Sequence, residues 1–223
     1  MNRKLIIAGA GETAEIAYEY FTDHSQYDVK AFSVEQKYIE DEKLFNIPVV
    51  PFEDIEKIYG PTEYDMFVAI SYTKLNRVRQ SIYEKAKNKG YHLPSFIHPT
   101  VFLGRDVEIG LNCFIFEFNN IQRKVKIGNN VILWAKNHIG HQSVIQDHCY
   151  LSSGVIVSGF CEIGKNTFIG VNSSLNDKIK ITKDTIIGNG TIITKNIEKP
   201  GGVYVGNPAK RLDKSSYEAF GVE

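Results

Sequence analysis

The chain has 223 residues and a mass of 25.2 kDa, with 26 basic and 26 acidic side chains and no formal net charge. That length supports one or two small domains with real cores, and the charge balance lacks the basic surplus that a duplex nucleic-acid partner demands. Apolar residues at 43% and charged ones at 23% describe an ordinary globular chain and argue against wholesale disorder.

The start, Met1-Asn2-Arg3-Lys4 ahead of Leu5-Ile6-Ile7-Ala8-Gly9, has a superficial likeness to a secretory leader. Its apolar stretch is short, however, and Gly9, Gly11 and Glu12 interrupt it. No apolar run approaches the roughly 18–20 residues of a membrane-spanning helix. The expectation is a soluble, cytoplasmic protein with neither a nucleic-acid nor a membrane partner. Lys4–Ala8 reads as a short apolar strand, and Thr13–Phe21 carries Ile16, Ala17 and Tyr20 at helical spacing. Val29–Val34 and Met66–Ser71 read as further strands, and Leu75–Lys89 as an amphipathic helix ended by Gly90. Strands alternating with helices over residues 1–97 predict a small α/β unit with a parallel sheet.

A different period takes over after residue 97. From Leu103 in steps of six come Ile109, Ile115, Ile121, Ile127, Leu133, Ile139 and Ile145. The series continues through Leu151, Val157, Ile163, Ile169, Leu175, Ile181 and Ile187 to Ile193, sixteen aliphatic positions without an insertion. Two residues before each stands a small or β-branched residue or Asn, such as Val107, Cys113, Asn119 or Ser143. A hexapeptide period predicts a parallel β-helix of three short strands per triangular coil. The aliphatic side chain points inward and stacks on its counterpart 18 residues later, about 4.8 Å away. Cys113, Cys149 and Cys161 all fall on the small inward site. Cys113 and Cys149 lie two coils apart, too far for a disulfide, so all three are expected as reduced structural cysteines.

The hexapeptide series, the segment His138-Ile139-Gly140-His141-Gln142-Ser143 and the late Val205-Gly206-Asn207-Pro208-Ala209-Lys210 together resemble the left-handed β-helix acyltransferases. Gly9-Ala10-Gly11-Glu12-Thr13-Ala14 and the junction Ile97-His98-Pro99 narrow the likeness. They resemble sugar acetyltransferases with a small Rossmann-like domain before the helix: bacterial nucleotide-amino-sugar N-acetyltransferases and related sialic-acid-type O-acetyltransferases. The resemblance implies a Rossmann-like nucleotide-sugar-binding domain at 1–97, a left-handed β-helix acyltransferase domain at 98–199, and a CoA-covering loop and tail at 200–223. It further implies a homotrimer with active sites between neighbouring β-helices, acetyl-CoA as co-substrate, a nucleotide-linked amino sugar as acceptor, no metal, and a role in surface polysaccharide synthesis.

Acetyl transfer needs a base to take the proton of the attacking amine or hydroxyl and a donor for the developing oxyanion, and histidine suits the proton transfers. Of the six histidines, His138, His141 and His148 cluster. His141 stands two residues beyond the inward Ile139, at an outward-facing corner, and it matches the catalytic histidine of the resembling family. It is the expected general base. His138 on the flat face and His148 at the next corner are expected as surface or trimer-contact residues, and His98 as structural. Close relatives carry a carboxylate after the histidine; here it is Gln142, which can orient the ring but cannot stabilise an imidazolium as a charge does.

Stepping by 18 along the corner gives Arg105, Arg123, His141, Gly159, Asp177 and Lys195. Gly159 therefore adjoins the base, and its N–H is available to polarise a thioester carbonyl. The resemblance also assigns acetyl-CoA to Gly159, with further contacts at Tyr150, Val171 and Asn189, and it leaves Lys210 and Arg211 for the phosphates. In the first domain Gly9-x-Gly11 opens a helix after a strand, which suits phosphate or sugar at a helix N-terminus. By resemblance Gly11, Glu12, Thr13, Glu35 and Ser71 border the nucleotide sugar. The unit is short for a full dinucleotide fold, so NAD is not expected. Two rival classes remain: a γ-type carbonic anhydrase, whose zinc needs three converging histidines, and a non-enzymatic β-solenoid. Within the enzyme reading, O-acetylation competes with N-acetylation.

Overall fold

The computed structural model describes residues 3–222. They form two compact units: residues up to Ser71 with Arg79–Pro94, and Tyr72–Val78 with the chain from Ser95 onward.

The first unit is built on β1 (Arg3–Ala8), α1 (Glu12–His24), β2 (Tyr27–Val34), β3 (Lys43–Leu44), β4 (Ile47–Pro51), α2 (Ile55–Ile58), β5 (Tyr64–Val68) and α3 (Arg77–Asn88). The sheet order is β3-β4-β2-β1-β5, parallel apart from the β3–β4 hairpin at the edge. Leu5–Ala8 is wholly buried at its centre, which is why β1 reads as a continuous apolar run. Alternate residues serve opposite layers. Ile6, Ala8, Met66 and Val68 cluster with Ile82, Tyr83 and Ala86 of α3, while Phe67 meets Phe21 of α1 edge-on at 4.8 Å.

Two expectations shift here. The helix expected from Leu75 begins at Arg77, because Lys74, Leu75 and Asn76 adopt φ of 49–63° and turn the chain. The strand expected to reach Ser71 ends at Val68. The β3–β4 hairpin was not foreseen: its two turn residues, Phe45 and Asn46, both have positive φ, and a Phe there hides the usual turn signature.

The second unit is the expected left-handed parallel β-helix. Seventeen two-residue strands run from Phe96–Ile97 to Ile192–Ile193 in three parallel sheets, every pairing offset by 18 residues. The aliphatic residues point inward and are essentially inaccessible from Ile115 onward. One residue per hexad, from Asp106 to Gly190, takes positive φ to turn the corner. The small inward sites do a second job. Ser143 Oγ donates to Ser158 O and accepts the Cys161 N–H, both at 3.0 Å, so corner backbone groups that the strands leave over find partners. The three cysteines are buried thiols on these sites, with no disulfide, and Cys113 Sγ donates to Gly128 O.

The outward residues give the three faces different characters. On the face of Glu108, Lys126, Val144, Glu162 and Lys180, ion pairs run along the surface at 2.9 Å, Lys126–Glu108 and Lys180–Glu162. The face of Phe96, Phe114, Ile132, Tyr150, Phe168 and Ile186 is buried, except that Phe168 is half-buried. The face of Phe102, Asn120, His138, Ile156, Ser174 and Ile192 leaves Phe102 and Ile156 exposed. The region after residue 200 is more ordered than a loop. Gly202–Val205 adds to the buried sheet beside Ile186–Ile187, pairs antiparallel with Lys210–Ser215, and leads into α4 (Ser216–Phe220), whose start is closed by a reciprocal Ser215–Glu218 capping box.

Because each inward side chain supports its neighbours above and below, Ile145→Ala should destabilise the unit by about 3–4 kcal/mol. The exposed Gln146→Ala should change little. Urea denaturation followed by circular dichroism checks both.

Candidate functional site

His141 sits where the exposed apolar face turns into the charged one. The strand His138–Ile139 delivers it, Gly140 lets the backbone pass the coil below, and Gln142 at φ +59° completes the corner. Its N–H donates to Gln122 Oε1 at 2.9 Å, which fixes the backbone at the corner. The imidazole packs against Gly159: a Cβ on residue 159 would stand 2.2 Å from Cε1. Phe160 closes one side, ring to ring at 4.9 Å. His141 Nδ1 is buried and has no hydrogen-bond partner among the described residues.

The pairing of His141 with Gly159 is as the 18-residue step predicts, but the glycine's amide is already engaged. Gly159 N–H donates to Asp177 Oδ1 at 2.8 Å, so the donor expected for a thioester carbonyl carries a carboxylate oxygen. Gln142 is exposed, and its side chain makes no hydrogen bond to the ring.

The other expected CoA residues fall elsewhere. Val171 and Asn189 come together on the edge that follows the buried face, with Val171 N–H donating to Asn189 Oδ1 at 3.1 Å. Tyr150 has a different setting. Its ring is 5% exposed, stacked on Phe168 at 5.4 Å and met edge-on by Tyr72, so the structure gives it a packing role. Lys210 and Arg211 are exposed on the antiparallel strand.

Of the remaining histidines, His98 accepts from Thr100 N–H in a local turn, in keeping with a structural role. His148 is not the surface residue expected. It is 4% exposed in a column of corner side chains, where Asn112 donates to Asn130 at 2.9 Å and Asn130 Nδ2 meets His148 Nδ1 at 3.0 Å. The signal that could have found it is the 18-residue series Asn112, Asn130, His148, Asn166, Asp184, all short or planar polar side chains. Among the described residues no group of three histidine, cysteine or carboxylate side chains converges as metal ligands.

In the first unit Gly11, Glu12, Thr13, Glu35 and Ser71 all follow the carboxyl ends of β1, β2 and β5. Neighbours on both sides of β1 make this the crevice where open α/β sheets take ligands. Only glycine fits at position 9, where φ is +139° and a Cβ would stand 2.5 Å from Ala69 O. Gly11 is the N-cap of α1 and supplies no side-chain cap, so the first-turn amides face the crevice bare. Ser33 Oγ, buried at the end of β2, has no hydrogen-bond partner among the described residues. Glu35 is held by Lys85 at 2.8 Å and Lys37 at 3.4 Å, and the Lys85 hydrogen bond keeps its carboxyl below the usual carboxylate range.

Repeat, coil and corner together define a hexapeptide-repeat β-helix protein preceded by a small α/β unit. The family model for the bacterial transferase hexapeptide (six repeats) matches residues 124–159 and 160–195. Among solved structures, the acetyltransferase domain of PglB from Neisseria gonorrhoeae FA1090 superposes with a TM-score of 0.84 at 25% identity, covering 95% of this chain and 100% of that one. PerB from Caulobacter crescentus, solved in complex with CoA and GDP-perosamine, gives 0.83 at 24% identity, covering 94% of this chain and 97% of its own. The UDP-3-O-acylglucosamine N-acyltransferase 2 of Sulfurimonas denitrificans is 31% identical over 124 residues, 54% of this chain. The chain spans only 37% of that relative's length.

Proposed function

We propose that the chain is an acetyl-CoA-dependent N-acetyltransferase acting on the amino group of a nucleotide-linked amino deoxysugar, with His141 as general base. The observation that carries this reading is the imidazole packed on a side-chain-free Gly159 at an outward corner of a hexapeptide β-helix. Support comes from the full-length likeness to an acetyltransferase domain and to a protein holding CoA and GDP-perosamine. The crevice at the bare N-terminus of α1 suits the phosphates of the nucleotide sugar, with Thr13, Glu35 and Ser71 around it.

In the proposed reaction the neutral amine attacks the thioester carbonyl directly. The C–N bond forms, His141 Nε2 takes the nitrogen's proton, the carbonyl oxygen gathers charge beside the Gly159 amide, and the C–S bond then breaks to release CoA. Gly159, Tyr150, Val171 and Asn189 are the proposed CoA contacts, Tyr150 through its backbone, since its ring is packed between Phe168 and Tyr72. For Nε2 to accept a proton, Nδ1 must hold its own, and none of the described residues accepts a hydrogen bond from it. The His141 corner borders the exposed apolar face, where Phe102 is 59% and Ile156 42% exposed. We read that face as the contact between three copies.

Thiol release from acetyl-CoA, screened against UDP-, dTDP- and GDP-linked amino sugars, tests the reading. Turnover with one amino sugar by a particle of about three chain masses in light scattering is the expected result. Turnover only with hydroxyl acceptors moves the assignment to O-acetylation. No turnover and no thermal shift with CoA leave a non-enzymatic solenoid, and one zinc per site in the active protein would point to the carbonic anhydrase class instead.

A further inference from the structure

Asp177 stands on the edge of His141, two coils further on, and its Oδ1 accepts the Gly159 N–H at 2.8 Å. Under the reaction proposed above, that N–H serves the thioester carbonyl. A carboxylate oxygen thus occupies the place assigned to the carbonyl oxygen, and the amide donates to a charged partner on the next coil.

Bonds of this kind recur on other corners, where Asn129 accepts from Leu111 N–H and Asp147 from Asn129 N–H, both at 2.9 Å. Capping a corner amide from the next coil is a general device of this β-helix. Asp177 differs from Asp147 in how it is held. Asp147 is partly buried and anchored by Lys165 at 3.1 Å. Asp177 is exposed and, among the described residues, forms no ion pair, although Lys195 follows it one coil later. Gly159 contributes no side chain to wall it in, and the His141 ring lies across the same glycine. Its tie to the protein is the one hydrogen bond that the acetyl group needs.

We propose that Asp177 is a positioning residue which keeps the Gly159 amide aimed at the His141 corner and is displaced by the acetyl carbonyl when the donor binds. One acceptor replaces another on the same N–H, and the carboxylate returns to water. No covalent bond changes. The inference rests on the acetyl-transfer reading. It adds a specific consequence: acetyl-CoA must displace Asp177, whereas CoA, which has no acetyl carbonyl, need not.

Titration calorimetry of acetyl-CoA and of CoA against wild type, Asp177→Ala and Asp177→Asn tests it. Asp177→Ala should tighten acetyl-CoA about five-fold, the net worth of one ordinary hydrogen bond, and leave CoA unchanged. KM for acetyl-CoA should fall in parallel without a rise in kcat. Asp177→Asn, which keeps the acceptor and loses the charge, should lie between. Equal shifts for both ligands, or none, overturn the displacement. Weaker binding of both with a lower Tm shows a purely structural cap and overturns it too. A wild type that turns over an amino sugar while the acetyl-CoA to CoA ratio stays fixed in Asp177→Ala defeats only the role of Asp177. A wild type that binds neither ligand defeats the acetyl-transfer reading and this inference with it.

Discussion

His141→Ala should lower kcat for thiol release by about 10²–10⁴-fold, the range for losing a positioned general base, while Tm stays close to wild type. The two halves of that expectation come from different atoms. The backbone N–H of residue 141 still reaches Gln122 Oε1 in the variant, so the corner keeps its shape. What disappears is the imidazole, which packs on Gly159 and Phe160 and whose Nδ1 has no hydrogen-bond partner among the described residues. Turnover within ten-fold of wild type would remove His141 from the role of base, and a collapse of Tm would show the ring to be structural.

Gly159→Ala should be nearly as damaging for a different reason. The new methyl would occupy the volume of the imidazole, with Cε1 and Nδ1 both inside van der Waals contact. Gly159 is not in the left-handed region, so alanine strains no backbone there, and the flexible neighbour is the one that moves. A displacement of about 1 Å in a catalytic group is worth roughly 10²-fold in rate, so kcat should fall by that order at unchanged Tm. Gly140→Ala makes the contrast. Its Cβ would stand 2.5–2.7 Å from the backbone of Ser158 and Gly159, which cannot swing aside, so that variant should lose fold and activity together. Paired thermal melts and thiol-release rates separate the two outcomes. A Gly159→Ala enzyme with full activity would mean that the imidazole works from another position.

The β-helix was legible because its physics is local and periodic: an inward aliphatic every six residues fixes which residues stack 18 apart. That arithmetic alone paired His141 with Gly159. In the α/β unit, β1 and α1 were legible from apolar runs and helical spacing, whereas the β3–β4 hairpin was hidden by a Phe in a turn that favours Asn or Gly. His148 was misread because its burial depends on what lies over its column, and Asn76 and Ser216 reach that column, at Asn166 and Asp184, from far along the chain. The engagement of the Gly159 amide was missed although its cause was visible, since Asp177 is the next member of the same series. Tyr150 entered through resemblance, and its aromatic neighbours Tyr72 and Phe168 become neighbours only in three dimensions.

The two ends of the coil stack are finished differently. At the far end Gly202–Val205 and its antiparallel partner close one sheet, whereas at the near end Phe102 and Leu103 remain open to water, 59% and 43% exposed. In a solenoid each rung leans only on its neighbours, so cohesion is lost stepwise from a bare end, not everywhere at once. Taken as a single chain, the β-helix unit is therefore expected to fray from the Leu103 rung towards the hairpin. His141 sits on the third rung along that face, two steps from the bare end, so fraying of two rungs disarms the corner while most of the stack still stands.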